Sequence, residues 1–197
     1  MSTTATARAP RAGALRSTRG VTLVESLVAI AILAVLGALA APSFRTQLAA
    51  ARLSSATSEL TGSLMQARAL AVRLGRRVTV CRSQDQSTCD TDAKRHWGSG
   101  WITFIDADGN GSRSGTETLT YQVSPLDADL RVRGNGTLTD RVTFVPSGGA
   151  RANGTLRVCS ADPGLGNDAR ARQLVMQQTG RVVVERVAGI QGTCPGP

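Results

Sequence analysis

Twenty-one consecutive residues, Val21 to Ala41, hold a single charge, Glu25, and this run limits what the chain can become more than any other feature. At about 1.5 Å per helical residue the run reaches roughly 31 Å, the thickness of a bilayer's hydrocarbon core. Arg8, Arg11, Arg16 and Arg19 precede it without any acidic residue, and the bulk of the chain follows. The positive-inside rule then places residues 1–20 in the cytoplasm and residues 43–197 outside, as a single pass. Net charge is +9, and +5 remains once those four arginines are set aside, an ordinary value for solubility that requires no anionic partner.

A secretory signal also begins with a basic segment and an apolar core, and Ala38-Leu39-Ala40 has the small-residue form of its cleavage site. Against this, the run exceeds the usual core of about 7–15 residues. A carboxylate deep in hydrocarbon costs on the order of 3 kcal/mol, less near an edge, so such residues are normally paired and functional. Neither a discarded signal nor a plain anchor gives Glu25 a purpose. The stretch RGVTLVESLVAIAILAVLGALAAP resembles the class III leader of type IV prepilins and pseudopilins. That resemblance implies cleavage between Gly20 and Val21 by a prepilin peptidase, and methylation of the new amino group of Val21. It also implies a role for Glu25 in assembly, meeting the N-terminal amine of a neighbouring subunit. Two charges that are costly alone form a pair in low dielectric. Val21 departs from the family pattern, in which phenylalanine is the commoner first residue.

Beyond Pro42 the helical pattern continues. Ala49, Leu53, Ala56, Leu60, Leu64, Ala67, Ala71 and Leu74 recur at three- and four-residue steps, one face of an amphipathic helix, and Gly75 supplies a stop. One long helix over residues 21–74 is predicted, with a kink at Pro42 where a backbone hydrogen bond is lost.

From Arg76 the period changes to two. Short β-branched runs at 78–81, 101–105, 118–123, 130–133, 142–145, 155–158, 174–176 and 181–184, most of them separated by Gly, Asn, Asp or Pro, predict an antiparallel β-rich domain docked on the helix. The segments ARALAVRLGRRVTVCRS, WGSGWITFIDADGNG, VTFVPSGGA and QLVMQQTGRVVV resemble the GspH/FimT branch of pseudopilins and minor pilins. The fold class is then α+β and pilin-like, a long N-terminal helix packed on two sheets. Residues 1–20 form the leader, 21–42 the transmembrane and assembly half of the helix, 43–75 its amphipathic half, and 76–197 the periplasmic domain. The resemblance further implies a non-enzymatic subunit of the bacterial inner membrane that helps initiate or cap a type IV pilus or a type II secretion pseudopilus. Its partners would be other pilins and the assembly platform. The WITFIDADGNG and VTFVP stretches look more like the FimT side.

Cys81, Cys89, Cys159 and Cys194 fall on the outer, oxidising side and imply two disulfides, for which sequence allows three pairings. Cys81 and Cys89 enclose a short polar loop at a strand end, while Cys159 ends another strand and Cys194 lies in the Pro/Gly-rich tail. Cys81–Cys89 and Cys159–Cys194 are therefore expected. With one histidine, His96, and no close C-x-x-C pair, a thiolate metal site is not indicated. Residues Asp106 to Glu117 match D-x-[DN]-x-[DN]-G-x5-E, with Asp106, Asp108, Asn110 and Glu117 as oxygen donors for calcium. Flanking strands, and Arg113 at the eighth position, favour a polar hairpin loop instead. Similar loops recur in the family.

Some FimT proteins receive DNA through a G-R-x-R motif, of which Gly180 and Arg181 are present here and the second arginine is not. Arg186 lies at an odd separation from Arg181, which puts the two on opposite faces of a continuing strand. Arg131, Arg133, Arg151, Arg157, Arg170 and Arg172 are candidates for a phosphate-contacting patch. Aromatic residues are only 3% of the chain, too few for stacking platforms, so DNA is not the favoured partner. No nucleophile, base and orienter are suggested by spacing, His96 reads as polar surface, and Trp97 and Trp101 read as core.

Overall fold

The computed structural model describes residues 20–92 and 96–190, apart from the side chains of residues 40–42. It comprises two compact units, Met1–Ala40 and Ala41–Pro197. Helix α1 runs from Leu23 to Leu74, 52 residues. In the first unit every described residue from Gly20 to Leu39 is exposed. No single helix among the described residues is long and apolar enough to cross a membrane; Leu23–Leu39 and Ser43–Leu74 meet that test only as a pair. The kink predicted at Pro42 falls on residues whose side chains lie outside the described set.

In the second unit the predicted stripe is the buried face of α1. Leu53, Leu60, Leu64, Ala67 and Ala71 are at most 1% exposed. Leu74 is the exception and is exposed. The helix ends there through its backbone rather than by packing: Gly75, at φ +62°, turns the chain. Its N–H then donates to the Val72 carbonyl and that of Arg76 to the Ala71 carbonyl, a Schellman closure.

Eight strands follow, β1 (Val78–Arg82), β2 (Trp101–Ile105), β3 (Leu119–Val123), β4 (Leu130–Gly134), β5 (Arg141–Phe144), β6 (Gly154–Ser160), β7 (Ala171–Met176) and β8 (Val182–Val187). They form two four-stranded sheets, in the orders β3-β2-β1-β5 and β4-β6-β7-β8. All pairings are antiparallel. Val80, Trp101 and Phe144 of the first sheet and Val132, Leu156 and Leu174 of the second join the helix stripe in one core. Trp101 adds a polar tie, its Nε1 donating to Ser63 Oγ on α1 at 3.0 Å. Trp97, in the 3₁₀ turn Trp97–Ser99, donates from Nε1 to the Leu138 carbonyl at 2.9 Å.

Outer faces of both sheets are also partly covered. Cys81, Ile102 and Phe104 form a second small core with Cys89 and Leu119, and Cys159, Ala171 and Ile190 form a third with Val187. All five residues of β1 are consequently buried.

Leu60 sits at the centre of the stripe with no exposed surface. Leu60→Ala is expected to cost about 2–5 kcal/mol, the range for truncating a buried leucine. Val184→Thr, at a 45% exposed position, should stay within about 0.5 kcal/mol. Chemical denaturation of the full chain in detergent, followed by tryptophan fluorescence, measures both.

Candidate functional site

The start of α1 is built by Thr22. Its Oγ1 accepts the Glu25 N–H at 3.2 Å, and its carbonyl accepts the Ser26 N–H at 3.1 Å. Thr22 is therefore the N-cap and Glu25 occupies the third helical position, the T-x-x-E spacing of a capping box. Sequence reasoning carried the helix to Val21 and missed this cap, although the spacing was visible. A carboxylate in the first turn also complements the positive end of the helix dipole. Glu25 is exposed, and Val21, Leu23, Val24 and Leu27 around it are 72%, 75%, 68% and 59% exposed. Apolar surface on this scale marks a membrane or protein contact.

The calcium-patterned loop connects β2 to β3, and its acidic residues do not form a uniformly polar surface. Asp106 is 1% and Glu117 6% exposed, whereas Asp108 is exposed. Asp106 Oδ2 accepts from Thr79 Oγ1 at 2.9 Å and from the Gly111 N–H at 3.2 Å. Glu117 accepts the Ala107 N–H on Oε1 at 2.6 Å and the Ser114 N–H on Oε2 at 2.9 Å. Asp108 accepts from the Asn110 backbone and side chain. One carboxylate oxygen each from Asp106, Asp108 and Glu117 lies within 4.8 Å of the other two.

Cys81 and Cys89 are joined by a disulfide. Cys159 is disulfide-bonded as well, and its expected partner, Cys194, lies outside the described residues. Within the Cys81–Cys89 loop, Asp85 accepts from the Thr88 side chain and N–H, the Ser87 N–H and the Ser83 side chain. These donors, Thr88 foremost, hold its carboxyl far below the usual carboxylate range. Arg82, 2% exposed, donates to the carbonyls of Asp90 and Asp92 and fixes the far end of the loop.

The arginines proposed for a phosphate patch disperse. Arg170 is buried and donates to the Ser160 and Asp162 carbonyls. Arg172 donates to the Ala169 and Ala171 carbonyls, and Arg151 to that of Gly109. Arg131, Arg133 and Arg157 do share the outer face of β4 and β6, with Arg133 opposite Arg157. Arg186 lies opposite Arg172 in β8, while Arg181 precedes that strand. Gly180 has a packing reason of its own: at φ +76° it turns β7 into β8. A Cβ there would collide with the Gly148 carbonyl oxygen. Arg68 on α1 locks both turns, donating from Nε to the Gly148 carbonyl at 2.8 Å and from Nη2 to the Thr179 carbonyl at 3.1 Å.

His96 is not simple polar surface. Its Nδ1 accepts the Gly98 N–H at 3.0 Å and caps the 3₁₀ turn. Burial first, then the charges of Arg131, Arg133 and Arg82, hold its pKa below the ordinary 6.5.

The family model described as Type II transport protein GspH matches residues 56–180, and the prokaryotic N-terminal methylation motif matches residues 15–41. No curated protein matches the chain in sequence. Among solved structures, the type IV minor pilin FimU of Pseudomonas aeruginosa shares the fold at 24% identity and a TM-score of 0.52, over 68% of this chain and 87% of FimU. A second crystal form of FimU gives 22% identity and a TM-score of 0.51, over 67% and 91%. The minor pseudopilin EpsH of the Vibrio cholerae type 2 secretion system aligns at 14% identity with a TM-score of 0.44, over 70% of this chain and 97% of EpsH.

Two outcomes follow from these side chains. Gly180→Ala should destabilise the second unit by at least about 1–3 kcal/mol, from the left-handed backbone and the collision together, read as a lowered denaturation midpoint. The depressed His96 pKa means that the folded state binds a proton less readily than the unfolded chain. Its contribution is thus full above the ordinary value of 6.5 and is lost as pH falls through that value to the depressed one. His96→Asn keeps an acceptor for Gly98 and should flatten this part of a stability-against-pH curve.

Proposed function

The chain belongs to the type II transport protein GspH family, and from this premise we propose that Gly20-Val21 is its processing site and Glu25 its assembly contact. As a member of that family it is a non-enzymatic minor pilin or pseudopilin. The methylation motif and the N-terminal helix fit a pilin anchored in the inner membrane. Residues 1–20 lie in the cytoplasm in this reading, residues 21–42 span the membrane, and the β-domain lies in the periplasm. Cleavage between Gly20 and Val21 frees an α-ammonium, which is then methylated. In the filament, the apolar half of α1 packs among the same halves of other pilins, and Glu25 meets the amine of a neighbour. The subunit helps initiate or cap the filament.

The observation that carries this reading is the uniformly exposed, apolar start of α1 with Glu25 as its one charge, inside the methylation motif. Desolvating that carboxylate without a counter-charge is costly, and cleavage creates a counter-charge four residues away.

Mass spectrometry of the mature N-terminus should find a methylated Val21; a start at Ala41 would mean an exported, unanchored domain and would overturn the proposal. Glu25→Ala should leave insertion and cleavage intact while removing the subunit from sheared filaments. Unchanged incorporation would end the role given to Glu25 and leave the processing site standing.

A further inference from the structure

We propose that the β2–β3 loop is a calcium site, in which Asp106, Asp108, Asn110 and Glu117 surround one ion. Proximity of the three carboxylates is one part of the argument. The independent part is Asp106, which is 1% exposed and whose Oδ1 is buried with no hydrogen-bond partner among the described residues. An orphaned carboxylate oxygen is among the costliest groups to keep from water, and beside two further carboxylates a hard divalent cation is a ligand that removes the cost.

Nearby cations do not serve that purpose. Arg141 donates to the Asn110 carbonyl and Ser112 Oγ, Arg151 to the Gly109 carbonyl, and Arg113 to the Glu117 and Ser87 carbonyls. Arg77 lies against Gly109. These guanidinium groups brace the loop through its carbonyls and Ser112 Oγ and leave Asp106, Asp108 and Glu117 without a salt bridge among the described residues. The donor set is all oxygen, three carboxylates and the Asn110 amide, which selects calcium over zinc or copper. Strands flank the loop and Arg113 braces it, so the site stands alone at a hairpin tip and is not half of a paired EF-hand. A single site of this kind belongs with extracellular modules, whose Kd values are about 10⁻⁴–10⁻³ M. Through the Arg113 bond to Ser87, the ion would also stiffen the Cys81–Cys89 loop.

The test is calorimetric titration of the chelator-treated full chain, in detergent, with calcium chloride and in parallel with magnesium chloride. One calcium per chain is expected, with weaker magnesium binding. Asp108→Asn, at an exposed position where folding is not at stake, should weaken calcium by at least about tenfold because ligand charge sets affinity. Asp106→Asn should abolish binding, with circular dichroism checking its fold; if it does not fold, Asp108→Asn decides. No saturable calcium binding up to about 10 mM, well above the extracellular range, overturns the proposal. So does calcium binding that Asp108→Asn leaves unchanged, which would put the ion elsewhere. Either result leaves the assembly reading untouched.

Discussion

Everything in the second unit depends on the apolar stripe of α1, which joins two separate four-stranded sheets in one core. Leu53, Leu60 and Leu64 supply bulk, and Ala56, Ala67 and Ala71 complete the same buried face. Without the helix, Val80, Trp101 and Phe144 on one sheet and Val132, Leu156 and Leu174 on the other lose the element that joins them. Polar ties then fix position rather than supply the bulk of the energy: Trp101 to Ser63, and Arg68 to the two turns around Gly148 and Gly180. Net hydrogen-bond contributions of about 1 kcal/mol each are small beside the burial of several large side chains. The same helix carries an apolar start that is exposed throughout the described residues of its own unit, so one half is buried inside the chain while the other presents surface suited to a membrane or other chains.

Covering the outer faces is a separate problem, solved by loops. The Cys81–Cys89 loop lies over Ile102 and Phe104, with Leu119 of β3 beside them, and the segment leading to Ile190 lies over Cys159 and Ala171. Such loops carry little apolar area, so cross-links and charge-assisted bonds replace packing. The Cys81–Cys89 closure contributes about 2–4 kcal/mol in the chain-entropy view. Buried arginines do similar service: Arg82 and Arg170 satisfy carbonyls that sheet pairing leaves open. Much of the positive charge is therefore structural.

Local signals in the sequence were sufficient for the elements. The helix stripe was legible because burial on one face imposes a period of 3.6, and all eight strands were legible because β-branched runs alternate with turn residues. What stayed hidden depends on partners distant in sequence. Alternation fails at β1, where Thr79 and Cys81 are as buried as Val78 and Val80, because loops from elsewhere cover the second face. His96 looked like polar surface because its capping role is set by the 3₁₀ turn that follows it. The six arginines read as scattered solvated residues, with a patch as the lesser alternative, because sequence does not reveal which carbonyls lie open to Arg151, Arg170 and Arg172. Asp106 and Glu117 looked like solvated hairpin residues because nothing local shows that Thr79, from another strand, closes over the loop. The Thr22-x-x-Glu25 cap was the exception, a local signal present and overlooked.

That cap alters how Glu25 has to be understood. At the third helical position the carboxylate already offsets the positive end of the helix dipole, worth about 0.3–1 kcal/mol where exposed. On the proposed processing, Thr22 becomes the second residue, and a new ammonium is placed at the dipole end that least tolerates a positive charge. The same carboxylate would then face the backbone N–H groups of its own first turn, its own amine and the amine of a neighbour. In water these differ little, since exposed ion pairs contribute about 0–1 kcal/mol. In hydrocarbon an ammonium left unpaired costs several kcal/mol, so the arrangement that pairs every amine is strongly preferred. On that proposal, selectivity for a neighbouring subunit would come from the apolar surroundings supplied by Val21, Leu23, Val24 and Leu27, and not from the carboxylate alone.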